Sequence, residues 1–329
     1  IVPGLNDSHL HATRGGKFYN LELRWDGVDS LARGLEMIRE QAARTPEGQW
    51  VRVVGGWSPH QFAERRPPTI AELNAVAPDT PTLVVFLYSM GFLNRAGAEA
   101  LGITAETPAP AGGRFEFIDG GVVLHATPNP MILYGTIARL PGLSPEDQIN
   151  STLHFYRELN RFGLTSVIDP GGGGHAYPAD YGATTAIASA QRVEGAPALT
   201  LRISNYLFAQ KPGSELADIS DWTARERLGI DRAIDVLNGF VLRGAGENLV
   251  WSAGDFENFL AARPDLAPSM EADLAAAVRL LAEKQWPIRI HATYDESISR
   301  ILDVFERVFA ETGYAARWAI DHAETVSPE

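Results

Sequence analysis

The sequence predicts an α/β chain of the (β/α)8 TIM-barrel type, carrying barrel strands one to six and a large α+β insertion between strands one and two. Three observations predict it. From residue 144 onward, apolar runs of strand length alternate with helical patterns, the signature of a parallel sheet. Histidines stand at the tips of separate apolar runs: His9 and His11 near the start, His291 after Pro287-Ile288-Arg289-Ile290, and His322 after Arg317-Trp318-Ala319-Ile320-Asp321. A barrel collects its functional groups at the C-terminal ends of its strands. A doubly wound sheet does so too, but histidines from strands one, five and six meet more readily on a closed ring.

Residues 1–11 read as strand one. Residues 12–164 interrupt the alternation. They hold a helix over 31–43, a strand over 51–54, a capping box at Thr69-Ile70-Ala71-Glu72, a strand over 82–87, a short helix near Ala96 and hairpin-like sequence over 113–125. This is too long for one βα crossover and reads as an insertion able to cover a site at the strand tips. Residues 165–329 carry strands two to six. The helix leading into them opens at Ser144-Pro145-Glu146-Asp147, with an N-cap, proline at the first helical position and acids in the first turn, and closes at Gly163. Strand two spans 165–169, followed by a glycine-rich loop over 171–174 and a helix over 181–193. Strand three spans 199–207, a helix lies around 222–228, and strand four spans 235–242 with a loop over 243–247. A helix over 271–284 places Leu274, Val278 and Leu281 on one face. Strand five (288–291), a helix (297–312) and strand six (317–321) complete the series.

Composition narrows the chemistry. The 329 residues are 45% apolar and 21% charged, as in globular proteins, with a net charge of −13. That charge argues against nucleic acid or an anionic membrane as partner. No cysteine is present, so disulfides, thiolate ligands and a cysteine nucleophile are excluded. Any transition metal must be held by imidazole, carboxylate or a modified lysine, which suits zinc, iron or manganese. No apolar run is long enough to span a bilayer, and a cytoplasmic location is the expectation. Oligomeric state stays open, a homo-oligomer included. The first residue is Ile1, with strand one already under way, and the last residues resemble the start of a new element; both ends are expected to be truncations.

His9 and His11 are two apart, so on a strand they face the same side and can present two imidazoles to one divalent cation. With His291 and His322 they form a metal-site pattern. Asp7 and Asp321 are expected to hydrogen-bond behind these imidazoles. Asp295 and Glu296 begin a helix, where acids complement the dipole. Trp57 and His175 are candidate lining of a substrate pocket. Ser166 and Ser252 lack the Gly-x-Ser-x-Gly elbow of serine hydrolases.

Together these segments resemble the amidohydrolase superfamily, and within it the amidohydrolase-3 branch, the YtcJ-like and N-substituted formamide deformylase-like group. The resemblance rests on Val2-Pro3-Gly4-Leu5-Asn6-Asp7-Ser8-His9-Leu10-His11, on Gly55-Gly56-Trp57 with Leu93-Asn94 and Leu101-Gly102-Ile103, on Gly163-Leu164-Thr165-Ser166-Val167-Ile168-Asp169, and on Ile290-His291-Ala292 with Ile320-Asp321-His322-Ala323. It implies a metal-dependent hydrolase on a distorted barrel, with a flanking β-sandwich, strands seven and eight and a proton-carrying Asp on strand eight lying outside this chain. Many relatives bridge two metals with a carbamylated Lys in strand four. Here that stretch, Asn238-Gly239-Phe240-Val241-Leu242, has Val241 at the expected place, and Lys17, Lys211 and Lys284 offer no obvious replacement. A one-metal site on His9, His11, His291 and the strand-eight Asp is therefore favoured over two metals, with Glu247 as a possible bridging carboxylate.

The expected reaction is hydrolysis of an amide or cyclic-amide C–N bond in a small-molecule substrate by metal-activated water. His322 would bind a second metal or hydrogen-bond the developing oxyanion. One alternative is a mononuclear deaminase of a ring amine, which needs an acid near His291, either Asp295 or Glu296. Another is a catalytically silent barrel with a binding or regulatory role.

Overall fold

Short apolar runs separated by helices pair in parallel, as their alternation requires. In the computed structural model, which describes residues 2–110, 113–127, 130–172, 177–190, 198–209, 211–229, 239–255, 265–314 and 318–328, the chain divides into two compact units. One is Ile1–Tyr19 with Pro145–Glu329 and the other is Asn20–Ser144.

The first unit runs β1 (Leu5–Asp7), α1 (Ala12–Phe18), α2 (Pro145–Arg161), β2 (Leu164–Asp169), α3 (Gly182–Ser189), β3 (Arg202–Leu207), α4 (Glu215–Arg225), β4 (Phe240–Ala245), α5 (Met270–Glu283), β5 (Ile288–Ala292), α6 (Asp295–Thr312) and β6 (Trp318–His322). The six strands form one parallel sheet in sequence order. On β5, Ile288, Ile290 and Ala292 enter the core under the helices, so alternation turns Arg289 and His291 to the other face. α5 supplies Leu274, Val278 and Leu281 to that core, and α6 supplies Ile301, Val304, Phe305 and Val308, each at helical spacing. Laid flat, a six-stranded sheet would hold its outer strands roughly 24 Å apart. The rings of His9, just past β1, and His322, at the end of β6, are 4.6 Å apart between centroids. The sheet is therefore strongly curled, and its first and last strands lean together at their C-terminal tips.

Two boundaries differ from the sequence expectation. The insertion begins and ends further inside 12–164, because α1 and α2 belong to the first unit. Ser151 Oγ on α2 donates to Gly16 O on α1 (2.6 Å), and the Thr13 amide donates to Asp169 Oδ2 at the end of β2 (2.8 Å). Strand four is displaced from 235–242 to Phe240–Ala245, residues 230–238 lying outside the described set. Its glycines suggested a loop, but Gly244 is glycine for a strand reason: a Cβ there would collide with the Pro287 carbonyl at the entrance to β5.

The second unit is a five-stranded mixed sheet, ordered Val51–Val54, Thr82–Phe86, Met90–Leu93, Gly121–Ala126 and Gly113–Ile118, with the first pair parallel and the others antiparallel. Asp119 and Gly120, both at positive φ, turn the last hairpin. Among the described residues, no helix of the chain is long and apolar enough to cross a membrane.

Asn94 ties this unit together. Fully buried, it caps helix Arg95–Ala100 by accepting the Gly97 amide (2.8 Å) and also accepts the Thr82 amide (2.9 Å). Its own amide donates to the carbonyls of Ala77 and Thr80 (2.7 and 3.0 Å). Asn94→Ala would strand these buried groups, and an equilibrium denaturation curve should show a loss of about 3 kcal/mol or more.

Candidate metal centre

Pairing continues beyond the regular strands into the residues that carry the imidazoles. The Leu10 amide reaches Ile168 O, the His291 amide reaches Glu247 O, and the Ala323 amide reaches Ala292 O, each at 2.9 Å. These bonds fix the tip of strand one against strand two, and the tips of strands four, five and six against one another. Glu247, two residues past β4, is thereby carried alongside His291, and its carboxylate becomes the hub of the site. His9 Nε2 lies 3.2 Å from Oε2, His322 Nε2 lies 3.3 Å from Oε2, His11 Nε2 lies 3.5 Å from Oε1, and His291 Nδ1 lies 3.6 Å from Oε2. Glu247 is 7% exposed. All four histidines singled out by the sequence thus surround one buried carboxylate.

The far nitrogen of each ring faces an oxygen. His11 Nδ1 donates to Gly171 O, leaving Nε2 for the hub. Gly171 is itself set by Asp169, a buried carboxylate that accepts the Gly171 amide (3.0 Å) and the Thr13 amide (2.8 Å). Burial outweighs these bonds and pushes Asp169 up to about 6. His9 Nδ1 is 3.7 Å from Asp321 Oδ1. Asp321 is in turn held by the Arg289 guanidinium through Nε (2.9 Å) and Nη2. His322 Nδ1 is 3.6 Å from Glu324 Oε1, and His291 Nε2 is 3.4 Å from Asp255 Oδ1. Such backing fixes which nitrogen a ring offers.

Adjacent residues of a strand point to opposite faces, yet Asp321 and His322 both reach this site. The backbone resolves the conflict. His322 and Ala323 have φ of 74° and 51°, the left-handed region that costs a non-glycine residue on the order of 1 kcal/mol. That turn redirects the imidazole towards Glu247.

Electrostatics register the crowding. Burial alone would raise the Glu247 carboxyl, but the rings of His291, His322 and His9 hold it far below the usual carboxylate range. Burial would lower His9, but Asp321 and Glu247 push it up to about 9. Burial and Arg14 press His11 down to about 4.

The donor set fits a divalent cation. His9 Nε2 is buried and makes no hydrogen bond, an orphan that suits a metal ligand. One donor atom each from His9, Glu247 and His322 lie within 4.8 Å of one another. Ligand atoms on one tetrahedral zinc are ~3.4 Å apart, close to the 3.2 and 3.3 Å separations of His9 and His322 from Glu247. Beside the cluster is an open cavity of about 610 Å³ lined by Ser8, His9, Arg289, Asp321 and His322.

Other expected residues stand elsewhere. Val241 lines a separate cavity with Asn6, Ser166 and Ser204, six residues before Glu247. The site carboxylate is therefore not at the lysine position. Asp7 turns its own chain by accepting the His9 amide (2.9 Å). Asp295 Oδ1 accepts the Ser327 amide (2.8 Å), and the acids recorded beside His291 are Glu247 and Asp255. Trp57 is a core residue of the second unit rather than a pocket wall. It is 4% exposed, meets Trp25 and Phe62, and donates Nε1 to Val85 O (2.9 Å). His175 lies outside the described residues. Asp169, Asp255 and Arg289 carried no recognised sequence signal, although each sits at or beside the end of a strand or its following loop.

The chain is similar to several known proteins. N-substituted formamide deformylase of Arthrobacter pascens is 35% identical over 124 residues, covering 35% of this chain and 22% of that protein. Protein LONG AFTER FAR-RED 3 of Arabidopsis thaliana is 22% identical over all of this chain and 55% of that protein. The solved structure of an uncharacterized metal-dependent hydrolase from Pyrococcus horikoshii OT3 superposes with a TM-score of 0.61 over 99% of this chain and 59% of its own, at 18% identity, a likeness of fold. The chain spans less than two thirds of each of these relatives. The amidohydrolase family model matches residues 1–329, the whole sequence, and the chain belongs to the amidohydrolase family.

Proposed function

We propose that this chain forms the metal-binding core of a barrel hydrolase that cleaves C–N bonds of small amides or cyclic amides, with zinc as its metal. The observation that carries the reading is the Glu247 carboxylate ringed by four imidazoles at the tips of a curled parallel sheet. The deformylase name of one relative supports a carbon–nitrogen bond as the target. The thiolate-free imidazole and carboxylate donor set is compatible with zinc.

His9, Glu247 and His322 would hold the ion, with His11 and His291 near enough to the same carboxylate to complete the set. A divalent metal there supplies Lewis acidity that activates water and polarises a carbonyl at neutral pH. The chain's own residues supply position. Asp321, neutralised by Arg289, backs His9. Gly171 O turns His11 Nε2 inward. The left-handed turn at His322 brings in the outermost ring. Glu247 supplies the carboxylate at the centre of the four rings.

Elemental analysis of the purified protein should find one equivalent of zinc, and His9→Ala should retain less than about a tenth of it. Unchanged metal content in that variant overturns the site. Glu247→Gln keeps the shape but removes the charge at the hub, and a chelator competition should show at least ~100-fold weaker binding; tight binding by this variant would remove Glu247 from the ligand set. His9 sits at about 9 in the metal-free protein, so metal must displace its proton. Affinity should therefore rise about tenfold per pH unit from 7 towards 9 and level off above. His11, already neutral at pH 7, adds no slope there. Against N-substituted formamides the expected product is the free amine; ammonia release from an aromatic ring amine would instead assign deamination.

A further inference from the structure

Asp255 is a carboxylate taken out of water in the segment that follows β4, two residues past the helical turn Trp251–Ala253. It is 3% exposed. The groups around it divide into two sets. The first is the entrance to α6. The Thr293 amide donates to Oδ1 and Oδ2 (3.1 and 2.9 Å), and the Tyr294 amide donates to Oδ2 (3.1 Å). Tyr294 is the N-cap of that 18-residue helix, whose positive end favours an anion. The second is His291. Its Nε2 lies 3.4 Å from both Asp255 Oδ1 and the Asp255 carbonyl, while its Nδ1 faces Glu247. The carbonyl is steadied by Thr293 Oγ, which donates to it at 2.9 Å. Among the described residues, the cation-capable side chain recorded against this buried acid is His291.

We propose that Asp255 is the positioning residue for His291, holding the proton on Nε2 so that Nδ1 is the nitrogen presented to the metal. This deepens the metal-centre reading and rests on it. A neutral imidazole carries one N–H and one lone pair, and a neighbouring acceptor decides which nitrogen carries which. Two oxygens of Asp255 crowd Nε2. Together they make Nε2 the donor and leave the Nδ1 lone pair turned inwards. His11 takes the opposite choice. Gly171 O claims its Nδ1 and Nε2 faces the hub. The two rings therefore arrive from different strands in opposite tautomers. Asp255 also links the loop that carries Glu247 to the strand that carries His291, so one acid registers two components of the site.

A residue that merely caps α6 would leave the tautomer of His291 indifferent to its charge, which gives the test. In 15N-histidine-labelled, metal-free protein at alkaline pH, where the rings are neutral, His291 should be the Nε2–H tautomer and His11 the Nδ1–H tautomer. The His291 signal is assigned by its loss in His291→Gln. Finding Nδ1–H at His291 overturns the proposal, whether or not any variant folds. Asp255→Asn keeps an oxygen for the Thr293 and Tyr294 amides but removes the charge. The proportion of Nε2–H should fall, and zinc affinity measured by chelator competition should drop 10- to 100-fold. Affinity within twofold of the unaltered protein, with the thermal midpoint preserved, also overturns it. Failure of the unaltered protein to bind zinc would refute the metal centre instead, while the tautomer measurement still decides the role of Asp255.

Discussion

A buried carboxylate encircled by imidazoles is the constraint on which the unit built on the parallel sheet depends. Glu247 is nearly inaccessible, and an ionised carboxylate in that setting costs several kcal/mol unless positive charge compensates it. Two sources of compensation are open: protons on the surrounding rings, or a cation among them. The metal-free protein uses the first, which is why the Glu247 carboxyl is held down and His9 is held up. These are two faces of one attraction. A divalent ion can replace the proton because the buried His9 nitrogen faces the Glu247 carboxylate and is tied to no other partner among the described residues. The arrangement that favours a proton on His9 is also one whose donor atoms could hold a cation.

The fold meets this constraint by curling a sheet and letting its pairing run past the ends of its strands. Bonds from His291 to Glu247 and from Ala323 to Ala292 extend the ladder into the tips. Beyond them a second tier continues. Asp255 takes the Thr293 and Tyr294 amides, and Thr293 O accepts the amide of Thr325 (3.1 Å). Three loops, those after β4, β5 and β6, are thus tied by backbone-directed bonds a few residues behind the imidazoles. This placement favours precision: ligands fixed by strand ends and capped helix entrances lose little entropy when a cation arrives.

The parts legible in the sequence were those governed by local periodicity. Two histidines at i and i+2, and two more at the tips of apolar runs, could be read because side-chain alternation is a short-range rule. Glu247 was visible as a candidate but sat six residues from Val241, the position that strand counting favoured, and only the pairing of neighbouring tips brings it to the rings. Gly244 misled because a glycine in a strand and a glycine in a loop look alike until the Pro287 carbonyl is seen beside it. Trp57 was read as lining because its neighbours resembled a family motif, whereas its indole completes an aromatic core with Trp25 and Phe62. Asp255 could not be singled out, since an acid after a strand is ordinarily a solvated one, and Asp169 was visible only as the last residue of a strand, with nothing local to announce its burial.

The turn at His322 shows most plainly how the site departs from regular structure. Continued as an ideal strand, β6 would send Asp321 inwards and His322 out beside Ala292, its register partner, which is a core residue under the helices. An imidazole there would be buried without a partner. Two successive left-handed residues avoid that outcome by turning the chain at the point where alternation would fail, and the Ala323 amide still finds the Ala292 carbonyl. The local strain, on the order of 1–3 kcal/mol per residue, is thus offset by a kept ladder bond and a placed ligand. It also lets Asp321 and His322 act from one strand on opposite sides of His9, one at Nδ1 through its carboxylate and the other ring against ring at 4.6 Å. A regular strand cannot deliver both, so the irregularity is the means by which six strands gather a cluster that period-two geometry alone would leave one imidazole short.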